Sequence, residues 1–384
     1  LAQPEDRPSF HRTQASVWLD ALRGAAAVMV LLTHWRYLLF CGLHAIPRHQ
    51  VFYAVPYLLT AGGSAAVIVF FVLSGFLVGG SALRAFERSQ WQWRRYLTHR
   101  LVRLWIVLLP ALPLGVFWDI WQIRLLARYH DPRAAAAIAE LSGHISWKLA
   151  LANALFLQGQ LFHTLGTNHP LWSLSYEFWY YLLFPLALCA LWPRAYRPAM
   201  RALSLLAFAL AVAFVVKVIG LEALQLFPAW LIGAALHFAP RRRSPTWTSW
   251  LATAVFALLF EALLPLQQHH TYAVDMTIAA ATGLLLWLLL GDLRLARERS
   301  IAVRAARRAA SFSYTLYLVH NPILVFLAVL AGDDSNWQPD PHHLAVALGL
   351  LTLILAYSYL IWLATEARTD TLRRWVERAL PQRA

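Results

Sequence analysis

The sequence predicts an all-α polytopic membrane protein with about ten transmembrane helices plus a short interfacial or re-entrant helix. Three observations lead there. Hydrophobic residues fill 60% of the 384 positions and charged residues only 14%, against roughly 45–50% and 25% in soluble domains. So little charge leaves too little polar surface to cover a water-soluble globule of this size. Apolar runs of about 20 residues, the length that crosses a bilayer, recur along the chain. Tryptophan, a residue of the membrane–water interface, occurs 18 times.

Taken in order, the spans are 18–42, 64–83, 101–121, 172–192, 202–220, 222–239, 247–266, 274–291, 312–331 and 343–363. Residues 1–17 form a polar tail with no small-residue cleavage site after an apolar core. The first helix therefore reads as a retained anchor and not a removed signal peptide. The stretch 145–162 is apolar but short and interrupted, and a full crossing there would break the charge pattern described next. It is expected to be interfacial or re-entrant. Residues 18–366 then form one transmembrane domain and 367–384 a basic tail. The halves show no repeat of the kind that builds inverted-repeat transporters, and no soluble domain stands out.

Orientation follows from the basic residues. With both termini cytoplasmic, the inside pieces hold 25 Lys and Arg and the outside pieces 7, a strong positive-inside bias. An eleventh span at 145–162 would invert everything after it. The net charge of +14 is thereby a topology signal: the basic residues lie in short runs between apolar segments, not on a soluble face that could meet nucleic acid. The partner this chain demands is the lipid bilayer. Cys41 and Cys189 form no disulfide framework, and His269–His270 has no carboxylate or thiol at ligand spacing, so no metal is expected.

Ionisable groups inside membrane helices are expensive and are functional candidates by default. The first helix reads LDALRGAAAVMVLLTHW, placing Arg23 and His34 on one face, roughly 16 Å apart along the axis. Histidine can serve as a general base near neutral pH, although a helix-packing histidine and a snorkelling arginine would look the same. Arg100 and Arg103, at i and i+3, face one way and offer forked donors to phosphate, or simply anchor the helix end. Glu177 sits among Tyr176, Phe178, Trp179, Tyr180 and Tyr181, where a carboxylate needs a partner or water. Trp172, Tyr314 and His320 are candidate substrate contacts, with helix packing as the alternative. Ser74 has no G-x-S-x-G elbow around it and is expected to pack helices together with Gly75. His163, His169 and Trp337 lie where an acceptor groove would be, or are ordinary surface.

The Arg-x10-His spacing within LDALRG…LTH resembles the opening signature of the acyltransferase-3 family of membrane acyltransferases. Five further stretches resemble the same family in the same order: FFVLSGFLV at 70–78, YLTHRLVRLWIVLLP at 96–110, LWSLSYEFWYYLLFP at 171–185, SYTLYLVHNP at 313–322, and TEAR around Glu366. The resemblance implies a cytoplasmic acyl-CoA donor, with acetyl-CoA as co-substrate and no metal. It implies His34 as the essential histidine with Arg23 its partner, and Arg100 and Arg103 as the donor-binding pair. The acceptor it implies is a polysaccharide or lipid-linked oligosaccharide. The form without an appended hydrolase-like domain most resembles bacterial exopolysaccharide O-acetyltransferases of the cytoplasmic (inner) membrane. Two versions of the chemistry stay open: direct attack assisted by His34, or an acetyl-histidine intermediate. Two rivals remain as well. A membrane-bound O-acyltransferase of another type would depend on His320, and a transporter or lipid flippase would use Arg23, Glu177 and His34 as substrate or proton sites.

Overall fold

The computed structural model describes residues 10–46, 50–129, 132–192, 197–240, 243–267, 272–332 and 336–379. Most of the polar tail at 1–17, Arg241 and Arg242, the His269–His270 pair and the last five residues lie outside the described residues. The α-helices are α1 (Gln14–Leu39), α2 (Gln50–Leu59), α3 (Gly63–Ser74), α4 (Gly80–Glu87), α5 (Trp93–Leu126), α6 (Pro132–Gly143), α7 (Trp147–Ala154), α8 (Leu171–Leu191), α9 (Pro198–Phe214), α10 (Leu221–Ala235), α11 (Thr246–Gln267), α12 (Tyr272–Leu289), α13 (Ile301–Leu330), α14 (Pro341–Ala364) and α15 (Thr369–Ala379). Among the described residues, nine helical stretches are long and apolar enough to cross a membrane. The chain is an all-α, multi-pass membrane protein. The remaining expected crossing, 222–239, is the apolar but shorter α10 of 15 residues.

Helix ends depart from the apolar windows for a simple reason: charged residues extend a helix beyond the stretch hydropathy can see. Thus α5 covers 34 residues where the apolar run covers 101–121, and α13 begins at Ile301. Helix α6 was not expected. Its sequence, PRAAAAIAELSG, has proline at the first helical position followed by alanines, the strongest helix formers, yet it is too short to register as a span. Helix α7 occupies the first half of the interrupted stretch and is capped by Ser146, whose side chain accepts from the Leu149 N–H.

The chain divides into two compact units built from interleaved segments: Leu1–Val30, Ala61–Ser81 and Leu226–Ser313 in the first; Leu31–Thr60, Ala82–Gln225 and Tyr314–Ala384 in the second. In the first unit α3 and α10 touch backbone to backbone. A Cβ on Gly75 would lie 1.8 Å from the Trp230 carbonyl oxygen, and one on Gly233 1.9 Å from that of Val72. Only glycine fits at either point, which is how small residues bring membrane helices together. The fully buried Trp230 donates its indole N–H to Ser74 Oγ at 3.2 Å. Ser74 and Gly75 are packing residues here.

In the second unit an irregular segment, residues 155–170, runs from α7 to α8. Bare backbone groups in hydrocarbon each cost several kcal/mol, so irregular chain at membrane depth must be satisfied by protein or water. Side-chain amides do that work. Asn153 donates to the carbonyls of Leu149 and His163 and accepts from the Leu165 N–H, and Gln158 donates to Leu171 O at 2.7 Å. The N–H groups of Gln160 and Leu161 donate to the carbonyls of Ile219 and Val218, which belong to a π turn, Val215–Ile219, at the end of α9. Buried Asp119 accepts from the Thr167 hydroxyl at 2.6 Å. Gly166, at φ +55°, lies where a Cβ would strike that carboxylate.

Candidate functional site

Proline decides where two helices of the second unit open. It lacks an N–H and leaves the carbonyl four residues earlier without its helical partner. Pro322 in α13 frees Leu318 O, which accepts from Asn168 Nδ2 at 2.8 Å. The next side chain, Asn321, donates to Thr167 O. Pro185 in α8 frees Tyr181 O, which accepts from the Tyr96 hydroxyl at 3.1 Å. The irregular segment is thereby tied to α13 beside His320, and α5 is tied to α8 beside Arg100.

His34, half-buried near the end of α1, meets His320, which is fully buried. His34 Nδ1 lies 2.8 Å from His320 Nε2. The other nitrogen of His320, Nδ1, faces the carbonyl oxygens of Leu316 and Tyr317 at 2.9 and 3.0 Å. His169, just before α8, lies within electrostatic reach of His34.

One turn from His320 along α13, the Tyr317 hydroxyl hydrogen-bonds with that of Ser173 at 2.6 Å. A further turn along, Tyr314 donates to Leu104 O at 3.0 Å and stands within electrostatic reach of Glu177, Glu366 and Arg103. Glu366, in the turn after α14, accepts from the Thr315 N–H and hydroxyl. Glu177 accepts from Tyr181, one turn on along α8. The Arg100 guanidinium lies 5.6 Å from the Tyr96 ring centre and 5.9 Å from that of Tyr181. Its Nε is buried without a hydrogen-bond partner. Among the described residues neither Arg100 nor Arg103 is held in an ion pair. Two guanidinium groups with donors to spare, flanked by aromatic faces, suit a phosphate-bearing ligand.

The structure thus gathers His34, His320, Tyr314, Glu177, Arg100 and Arg103 along one ladder in the second unit. Trp172 stands off that ladder: its ring packs edge-on to Tyr176 at 5.1 Å, and Tyr176 faces Glu222. Arg23 belongs to the first unit, where its Nη2 donates to Ala310 O at 2.6 Å. A Cβ on its neighbour Gly24 would lie 2.6 Å from that of Ala309, so α1 and α13 nearly touch there. His163 meets His144 edge-on at 5.1 Å, and Trp337 packs against Phe40 and His343. Among the described residues no group of three or more His, Cys, Asp or Glu side chains could hold a metal.

Sequence reasoning missed Tyr96, Ser173 and Tyr317. A signal for Tyr317 was present: Tyr314, Tyr317 and His320 recur at steps of three and share a helix face. Ser173, Glu177 and Tyr181 recur at steps of four on α8 in the same way.

The family model described as an acyltransferase domain, acyltransferase-3, matches residues 16–362. No curated protein and no solved structure matches the chain.

Proposed function

With a match over nearly its whole length, the chain belongs to the acyltransferase-3 family and is a membrane acyltransferase, and from that premise we propose that it moves an acetyl group from acyl-CoA to a hydroxyl of a surface polysaccharide or lipid-linked oligosaccharide, with His34 as general base. The observation that carries the proposal is the ladder itself. It has a half-buried histidine at one end, two arginines outside any ion pair among the described residues at the other, and tyrosines with two carboxylates between. Family membership sets aside the transporter reading and the other O-acyltransferase type.

The roles follow from position. Arg100 and Arg103 bind the donor's phosphates, with Tyr96 and Tyr181 lining the way. The helix rise from His320 to Tyr314, and from Glu177 on to Tyr181, adds up to about 15 Å, a length that the donor's extended pantetheine arm spans to bring its thioester to His34. The acceptor hydroxyl reaches His34 from the opposite end. His34 Nε2 takes the hydroxyl proton as the oxygen attacks the thioester carbonyl carbon. The C–S bond then breaks, and the departing thiolate receives the proton from His34. General-base help of this kind is worth about 10²–10⁴-fold, the rest coming from positioning. Glu177 orients Tyr181 and the polar seam. Tyr314 and Trp172 serve as acceptor or donor contacts. The ladder's arginine end is the cytoplasmic one, consistent with the positive-inside count, with both termini in the cytoplasm of a bacterial cell whose inner membrane holds the chain. Residues 18–366 act as one catalytic domain.

The test compares purified wild type with His34→Ala, using labelled acetyl-CoA and a bacterial glycan-lipid extract. Transfer should fall by at least about 10²-fold in a variant that keeps its helical content. Undiminished transfer would remove His34 from the chemistry, and a wild type that binds no acetyl-CoA would overturn the donor. Label held on the protein after donor alone would replace direct attack with an acetyl-His34 intermediate.

A further inference from the structure

We infer that His320 is a positioning residue: it fixes the tautomer of His34 so that His34 presents a bare Nε2 to the acceptor hydroxyl, an inference that rests on His34 being the base. A neutral imidazole carries one N–H and one bare nitrogen. His320 Nδ1 points at two main-chain carbonyl oxygens, of Leu316 and Tyr317, and carbonyl oxygens only accept. The His320 proton therefore sits on Nδ1. Its bare Nε2 faces His34 Nδ1 at 2.8 Å and requires a donor there, so the His34 proton sits on Nδ1 and its Nε2 is left with a free lone pair. A second proton on His320 would put a charge on a side chain with 0% exposure, at a high cost without a counter-ion.

The ring geometry agrees. The two imidazoles are within 11° of parallel and their centres are 5.1 Å apart. That separation is what the nitrogen–nitrogen distance plus the two ring radii requires, so both nitrogens lie on the line joining the centres. Each lone pair or N–H thus points directly at its partner. This is edge-to-edge hydrogen bonding and not face-to-face stacking.

The scaffold holds His320 still. Asn168 takes up the carbonyl that Pro322 frees, and Asn321 reaches Thr167, so α13 is clamped on both sides of the ring. The unconstrained imidazole of histidine in water favours the opposite tautomer, with the proton on Nε2, which cannot accept a proton from a hydroxyl. His320 reverses that preference. When His34 becomes an imidazolium, its Nδ1–H continues to donate to His320 Nε2. The arrangement parallels the orienting member of a Ser-His-Asp triad, with a neutral ring in place of the carboxylate.

The experiment is nitrogen NMR on the full chain, ¹⁵N-labelled at histidine and held in lipid nanodiscs, with the His34 signals assigned by their loss in His34→Gln. Wild type should show a protonated Nδ1 and a bare Nε2 at His34. In His320→Ala the proton should move to Nε2 and kcat fall about 10²-fold, with KM for acetyl-CoA unchanged. His320→Gln, whose amide oxygen accepts as Nε2 does, should keep the wild-type tautomer and recover most of the lost rate. A wild-type His34 proton on Nε2 would overturn the inference. Equal losses in the alanine and glutamine variants with the His34 proton unmoved would make His320 a packing residue. The tautomer is read without substrate, so it judges His320 separately from His34→Ala, which judges the base; wild-type signals suffice if a variant fails to fold.

Discussion

The crossing of α3 with α10 and the seam between α8 and α13 solve one problem, holding two membrane helices together, with opposite materials. At the crossing, glycines let main chain meet main chain, and an indole N–H donates to a serine hydroxyl. At the seam, Ser173 meets Tyr317 across the two helices, Glu177 accepts from Tyr181 within α8, and Tyr314 stands within electrostatic reach of two carboxylates and an arginine. Side-chain hydrogen bonds inside membranes average only about 0.6 kcal/mol, and ionisable groups there are costly. As adhesive alone, the seam is the worse choice. The contrast teaches where to look for chemistry: in the region whose composition adhesion does not explain.

The comparison breaks most visibly at the glycines. Gly75→Val would drive a side chain into the Trp230 carbonyl, a backbone atom that cannot swing aside, at upwards of about 3 kcal/mol. The expected result is a protein that aggregates on size-exclusion chromatography and shows no cooperative thermal transition. Gly143→Ala, where a Cβ meets nothing within 4 Å, should behave as wild type. An intermediate effect belongs to the ladder's arginines. Arg100→Ala and Arg103→Ala should leave thermal stability alone and raise KM for acetyl-CoA roughly 10-fold or more each, as loss of a charged hydrogen bond worth about 1.5–3 kcal/mol requires. Lysine at either place should recover only part, lacking the fork. Unchanged KM in both alanine variants would sever the arginines from donor binding. The smallest effect is at the seam: Tyr317→Phe should cost about 0.6 kcal/mol of stability. Ser173→Ala on top of it should add less than it costs alone, because the two hydroxyls bond each other and share the Pro170 carbonyl, and a double-mutant thermal cycle would show it.

How much of this was legible in the sequence divides along physical lines. Crossings are local facts: a run of about 20 apolar residues has few other uses, and Arg-x10-His lies within one helix. Helix α6 escaped because a short alanine-rich helix carries no hydropathy signal, and the span read as 222–239 runs four residues past the end of α10 at Ala235. The ladder was only partly legible. Each residue announced itself as an ionisable group in a membrane span, but the meeting of His34 with His320 joins positions 286 apart, and nothing in either neighbourhood names the other. Likewise Pro322 and Asn168 are each ordinary; only together do they make a carbonyl and its donor.

The π turn at Val215–Ile219 has a bearing on ancestry. Such a turn is an α-helix carrying one residue more than its pitch needs, and it commonly marks a functional region. Here it closes the helix just before Gly220, and the last two carbonyls, of Val218 and Ile219, which no further turn can claim, hold the segment after α7. Removing one residue between 215 and 219 would turn that helix end by about 100° and aim both carbonyls away from their donors. A relative whose helix lacks the extra residue should therefore hold its equivalent segment by other contacts.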